Sequence, residues 1–319
     1  MEPEARLSRR RLLRAASAAA VVGGAGSAVA PAPVGAQLAG AQLRRVASRP
    51  IKPGGEAVPV VGLGSWITFN VGNDRQGRDA CAEVMRAFFA SGGRMIDSSP
   101  MYGSSQAVIG AGLKKLGMPG VLFAATKVWT ASGASGPAQI EESRLLWGVE
   151  KFDLLQVHNI LAWEKHLETL RAMKAAGRVR YIGVTTSHGM RHAEIERIMA
   201  TQPIDFVQVT YNVADREVEQ RILPLAAEKG MAVIANRPFR EGALIEELKN
   251  RKLPDFAAEI DCAGWPQFLL KFIVSHPAIT CAIPATSRVD HVVENMGAAL
   301  GRAPDPAMRQ RMAAYVRGL

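Results

Sequence analysis

From residue 58 onward, short runs rich in β-branched residues alternate with longer amphipathic segments, and that alternation restricts the fold more than any other feature. The strand-like runs cover residues 58–67, 94–98, 122–129, 154–158, 179–185, 206–212, 231–236 and 280–284. Helical periodicity follows them near 78–91, 105–116, 137–148, 165–176, 190–200, 216–229, 265–275 and 288–300. A strand returns parallel to its predecessor only through a long crossover, and a helix of this length is the usual one. Eight such units predict an α/β chain, a single-domain (β/α)8 TIM barrel over residues 55–319. A doubly wound open sheet competes, but no GxGxxG fingerprint follows the first strand, where Gly62-Leu63-Gly64 is only a glycine pair. A last helix is expected at 305–317, outside the barrel, and residues 237–264 read as a long loop with a short helix.

The residues before the barrel read as an address. Ser8-Arg9-Arg10-Arg11-Leu12-Leu13-Arg14 precedes an Ala/Gly-rich run to Ala30 and a small-residue exit at Val34-Gly35-Ala36. This order is that of a secretory signal peptide, and its paired arginines resemble the twin-arginine signal. Residues 1–36 are therefore expected to be removed after Ala36 and 37–54 to form a linker, with the mature chain exported to the periplasm by that machinery. The same segment, with five arginines and two glutamates, accounts for three of the ten net positive charges. The remainder are scattered without interleaved aromatics, which argues against a nucleic-acid partner. No stable membrane span is expected in the mature chain. The three cysteines, Cys81, Cys262 and Cys281, show no CxxC spacing, so neither a disulfide framework nor a metal site is expected.

Barrel enzymes place their chemistry where strands stop. Three consecutive strands end in ionisable residues: Asp97 in Ile96-Asp97-Ser98-Ser99-Pro100-Met101-Tyr102-Gly103, Lys127 in Ala125-Thr126-Lys127-Val128, and His158 in Gln156-Val157-His158-Asn159. A charge at the end of an apolar strand is costly unless partnered, and neighbouring strands bring these three to one mouth, with Tyr102 on the following loop. Together they have a chemical logic. A free phenol titrates near ~10; an adjacent lysine is expected to lower that value, and an aspartate to hold the lysine in place. A histidine can then donate to a carbonyl oxygen or relay a proton. Such a set suits a carbonyl that gains hydride on carbon and a proton on oxygen. The residues alone also allow a structural polar cluster, a Schiff-base lyase acting through Lys127, or a nucleotide-binding barrel serving as a sensor with little turnover.

The set Asp97, Tyr102, Lys127 and His158 resembles the catalytic tetrad of the aldo-keto reductases, which are (β/α)8 barrels. Gly62-Leu63-Gly64-Ser65-Trp66, Arg178-Val179-Arg180-Tyr181-Ile182-Gly183-Val184, Gln208-Val209-Thr210-Tyr211-Asn212 and Ile283-Pro284-Ala285-Thr286-Ser287-Arg288 agree in order, so the likeness spans roughly residues 55 to 300. The resemblance implies an NAD(P)H-dependent reductase of aldehyde or ketone carbonyls, with NADPH as cofactor and NADH as the second choice. Tyr102 would supply the proton. Gly64 and Trp66 would border the cofactor, and Gln208, Thr185 and Thr186 would hold the nicotinamide carboxamide, Thr186 standing where the family often has asparagine. On strand seven Asn236 replaces a stacking tyrosine, Arg237 would reach the pyrophosphate, and Pro238 and Phe239 follow. Barrels often seat phosphate after strands seven and eight at a helix N-terminus, where Thr286, Ser287 and Arg288 lie. The resemblance gives Glu294 and Asn295 to adenine, and it notes Ala285 and His291 where a lysine and an arginine are common. Trp66, Met101, Trp129 and Trp163 are expected as apolar walls for a small carbonyl substrate.

Overall fold

Apolar strands that alternate with amphipathic helices bury both faces of a sheet only if helices cover the outside and side chains fill the inside. The computed structural model describes residues 46–319. The expected signal peptide 1–36 and most of the expected linker lie outside the described residues. Eight parallel strands pair in chain order: β1 (Leu63–Gly64), β2 (Met95–Asp97), β3 (Phe123–Val128), β4 (Phe152–Val157), β5 (Val179–Thr185), β6 (Phe206–Thr210), β7 (Ala232–Asn236) and β8 (Cys281–Ala282). The sheet closes on itself. Gly62 and Gly64 donate their N–H groups to the carbonyls of Ala282 and Pro284 at 2.8 and 2.9 Å, and Ala282 donates back to Val60 at 2.9 Å. A Cβ on Gly64 would stand 2.7 Å from the Ile283 carbonyl oxygen, so the seam requires glycine there.

The first strand is much shorter than the expected 58–67. Ala57–Pro59 instead pairs antiparallel with Ser48–Pro50, in a hairpin made partly from the expected linker. At the other end the chain turns, with the Phe69 N–H reaching the Ser65 carbonyl at 3.2 Å. Ile51 and Val58 of the hairpin join Met95, Phe123, Leu154, Phe206, Ile234 and Cys281 in one buried cluster. Since Met95, Phe123 and Phe206 open their strands, the hairpin stoppers the barrel's N-terminal end. Buried Asp205 works at that end too, meeting Lys52 at 2.6 Å, Lys174 at 2.5 Å and the Ile182 N–H at 2.9 Å.

Outside run α1 (Arg75–Ala90), α2 (Ser105–Lys115), α3 (Gly136–Trp147), α4 (Trp163–Ala175), α5 (His192–Thr201), α6 (Ile222–Lys229), α7 (Ala243–Leu248), α8 (Trp265–Val274), α9 (Val289–Gly297) and α10 (Pro306–Arg317). Helix α1 begins earlier than its periodicity suggests because Asp74 caps it, accepting from Gln76 and Gly77. Helix α6 begins six residues later than expected, which leaves Pro224 in a first turn, where a missing N–H does no harm. A second, larger core lies between strands and helices and includes Phe69, Phe88, Trp147 and Phe272. All three cysteines are buried and unpaired. Burial pushes the thiols of Cys81 and Cys262 up to about 11, so they remain protonated and inert. Among the described residues no helix is long and apolar enough to cross a membrane.

Candidate active site

A cleft of about 550 Å³ lies over the C-terminal ends of the strands. Its floor comes from Gly64, Asp97, Thr185, Gln208 and Asn236, one residue from each of five strands. In-register pairing produces this. Gly64 lies beside Asp97, Thr185 beside Gln208, and Thr210 beside Asn236.

Asp97 is buried and holds two partners. Its Oδ2 lies 2.5 Å from Lys127 Nζ, and its Oδ1 accepts from Gln208 Nε2 at 3.1 Å. Lys127, fully buried, also donates to the Ser98 carbonyl at 2.8 Å, and its ammonium stands 5.2 Å from the centre of the Tyr102 ring. Burial works against the Lys127 charge, but the Asp97 carboxylate and Tyr102 outweigh it and hold the lysine above its usual value. This lysine is a fixed cation under the cleft floor rather than a free amine nucleophile, which leaves a Schiff-base mechanism without its starting species.

Tyr102 and His158 face the cleft edge-on to each other, ring centres 5.6 Å apart. Burial raises the Tyr102 phenol above its usual value, and Lys127 restrains the rise without reversing it. The expected lowering of this phenol is thereby corrected: desolvation outweighs the ammonium, and the group stands ready as a proton donor. Burial, aided by the Lys127 charge, drops His158 well below the ordinary histidine range, so its ring is neutral. Its Nδ1 lies 2.8 Å from Ser99 Oγ. The structure therefore brings Asp97, Tyr102, Lys127 and His158 together.

The remaining expected residues divide. Gly64, Trp66, Thr185, Gln208, Asn236, Arg237, Pro238, Phe239, Thr286, Glu294 and Asn295 all line the cleft. Thr186 does not; it is buried and its hydroxyl donates to the Met190 carbonyl at 2.9 Å. Ser287 and Arg288 also lie off the wall, because Arg288 turns outward to Asp290 at 2.5 Å with its side chain 63% exposed. Two expected substrate walls are corrected as well. Trp163 is buried and donates its indole N–H to Glu194 at 3.0 Å, and Trp129 is 40% exposed and borders no part of the cleft. Trp66 and Met101 do line it, joined by Ile67.

A dinucleotide fits the donor set. Gln208 and Thr185 present a carboxamide and a hydroxyl beside Asp97, joined at 3.2 Å, while buried Asn295 supplies an amide at the far end. Asn236 on the β7 side accepts from Thr210 and donates to the Thr186 carbonyl, both at 2.8 Å, and like Gln208 it keeps one N–H and one lone pair. Phe239 is the aromatic on that wall. Sequence reasoning missed the wall made by Glu241, Gly242, Ile245 and Glu246, where the segment after β7 folds back over the cleft. It also missed His188, on the loop after β5, 3.6 Å from Glu241. Nothing in the amphipathic ALIEEL of α7 distinguishes a cleft wall from a surface helix.

Strain gathers on this face. Among the described residues, eleven non-glycine residues have positive φ, and nine of them (Ile67, Asn159, Ile160, Ala162, His188, Arg191, Arg237, Arg240 and Glu241) follow the C-terminal ends of β1, β4, β5 or β7.

A model of the Aldo/keto reductase family matches residues 60–310. Among named relatives, the chain is 26% identical over 250 residues to the methylglyoxal reductase YeaE of Escherichia coli (strain K12), covering 76% of this chain and 86% of that one. It is 25% identical over 292 residues to the aldo-keto reductase str7 of Strobilurus tenacellus, covering 78% and 86%. Among solved structures it is similar to an aldo/keto reductase from Klebsiella pneumoniae in complex with NADP and acetate, with a TM-score of 0.71 at 22% identity over 85% of this chain and 96% of that one. The holo form of an aldo-keto reductase from Bacillus halodurans gives 0.68 at 21% identity, over 85% and 96%.

Proposed function

The chain belongs to the Aldo/keto reductase family, whose chemistry is the NAD(P)H-dependent reduction of carbonyls, and on that premise we propose how its own residues divide the reaction. A nicotinamide cofactor held by Gln208, Thr185 and Asn295 would supply a hydride to the carbonyl carbon. Tyr102, neutral and at the cleft, gives its phenolic proton to the carbonyl oxygen. His158, neutral beside it, orients that oxygen by a hydrogen bond. Lys127 and Asp97 act from below. The ammonium stabilises the negative charge that grows on the phenol as its proton leaves, and the carboxylate fixes the ammonium in place. The observation that carries the reading is the buried Asp97–Lys127 pair lying under the one tyrosine that faces the cleft.

NADPH is the cofactor we propose, on two supports. The similar Klebsiella pneumoniae structure holds NADP, and Arg288 stands at the start of α9, where the 2′-phosphate would be met. Its partner Asp290 is itself 62% exposed, and a pair so open to water is readily exchanged for a phosphate. Substrates are small aldehydes and ketones, with their non-reacting end seated against Trp66, Ile67 and Met101. The methylglyoxal named for the Escherichia coli relative is the first to try. Export through the twin-arginine route is proposed from the sequence of residues 1–36 alone.

Tyr102→Phe tests the central assignment. Loss of a general acid lowers turnover by roughly 10²- to 10⁴-fold, and NADPH affinity, measured by quenching of intrinsic fluorescence, stays within twofold of the parent. Turnover equal to the parent would remove Tyr102 from the chemistry. Multiple turnovers by the parent with NADPH and an aldehyde exclude the sensor alternative.

A further inference from the structure

We propose that Ser99 is a positioning residue that fixes the tautomer of His158, placing the ring proton on Nε2, where it can be donated to the substrate oxygen. The inference rests on the reading of His158 as carbonyl donor. Ser99 sits between the two groups that meet the substrate. Its carbonyl accepts the Tyr102 N–H at 3.0 Å, its hydroxyl oxygen accepts the Met101 N–H at 3.2 Å, and the same oxygen lies 2.8 Å from His158 Nδ1. The residue has no exposed surface.

A hydroxyl has one hydrogen and two lone pairs. The Met101 N–H occupies one lone pair. If His158 carried its proton on Nδ1, that N–H would take the second lone pair. The Ser99 hydrogen would then have no acceptor, since Nδ1 is the only side-chain or backbone acceptor within reach of this hydroxyl among the described residues. A buried donor left without an acceptor is the more expensive outcome. With the serine donating to Nδ1, the hydroxyl and Nδ1 are both satisfied, and the proton belongs on Nε2, on the ring that lines the cleft. The neutral state of the ring makes the question consequential, because an imidazolium would carry protons on both nitrogens and need no selection. The same serine anchors Tyr102 through its carbonyl, so one residue sets both the position of the acid and the donor face of its neighbour.

The test is long-range ¹H–¹⁵N correlation NMR on histidine-labelled protein, with His158 assigned by the signal missing from His158→Gln. The expected parent spectrum shows an unprotonated Nδ1 and a protonated Nε2. Ser99→Ala is expected to shift His158 toward the Nδ1–H form or a mixture, and to lower kcat about tenfold with NADPH affinity unchanged. An Nδ1–H ring in the parent overturns the proposal, and so does an unchanged tautomer in Ser99→Ala. A shifted tautomer with undiminished kcat instead overturns the role of His158 as carbonyl donor, so the two failures are separable. The parent measurement decides the tautomer even if the variant does not fold.

Discussion

Replacing Lys127 by methionine keeps the length of the side chain and removes its charge from a place without water. The ammonium and the Asp97 carboxylate are 2.5 Å apart with side chains 0% and 2% exposed. At an effective dielectric near 20 their gross attraction is about 7 kcal/mol, most of it offsetting the desolvation of two ions. Removing one ion alone forfeits the attraction and leaves the other buried. The expected loss is about 3–5 kcal/mol, or roughly 6–10 °C in melting temperature at about 2 °C per kcal/mol for a chain of this length. The sign with pH is specific. In the parent, the Lys127 pKa is raised, so its contribution is complete below the unfolded value of about 10.4 and lost only as pH rises beyond it. It is therefore constant between pH 5 and 8. In the variant, the stranded Asp97 is expected to titrate above its unfolded value, so stability falls as pH rises through that interval. Thermal unfolding followed by circular dichroism should show the variant closer to the parent at pH 5 than at pH 8. Lys127→Met combined with Asp97→Asn should recover most of the loss and abolish its pH dependence. A single variant melting within 2 °C of the parent at pH 8, or equally destabilised at both pH values, would refute the reasoning.

The raised Tyr102 phenol predicts that carbonyl reduction holds its rate up to pH ~10 and falls above it, whereas alcohol oxidation rises over the same range. Because His158 is held well below 6.5, kcat/KM for reduction should show no inflection between pH 6 and 7; finding one would place a titrating histidine in the reaction. Arg288→Ala should raise the Kd for NADPH about tenfold while leaving NADH within twofold, as removal of one phosphate contact would. Equal effects on both, read by fluorescence titration, would remove Arg288 from 2′-phosphate recognition.

What could be read from the chain and what could not divide along physical lines. Asp97, Lys127 and His158 were legible because each is an ionisable residue ending an apolar strand, and barrel topology alone makes such residues neighbours. The helix over 216–229 was overextended because periodicity does not register where a proline can sit, whereas the start of α6 at Ile222 does. The span 58–67 read as one strand because alternation is identical in a hairpin and in a barrel; only the partner, Ser48–Pro50, tells them apart. Arg288 was expected on the cleft wall, but Asp290 two residues on competes for its guanidinium and draws it outward. Trp163 and Trp129 illustrate a third limit. A strand-adjacent aromatic marks the right end of the barrel without specifying which way the ring turns. The direction of the Tyr102 shift also depends on how deeply the ring is buried, and no local pattern carries that information.

The nine left-handed residues around the mouth have a consequence for how the protein ages under heat. A non-glycine residue in this conformation costs on the order of 1 kcal/mol or more, and persists only because surrounding structure enforces it. Here the enforcer is the barrel, with its stoppered base, while the turns after β1, β4, β5 and β7 are sprung against it. When the framework loosens, those turns are expected to relax first, before any strand parts from its neighbour. Competence should thus fade ahead of the fold, and a sequence evolving toward durability would trade rim residues such as Ile160 or Glu241 for glycine at the expense of a precisely held mouth.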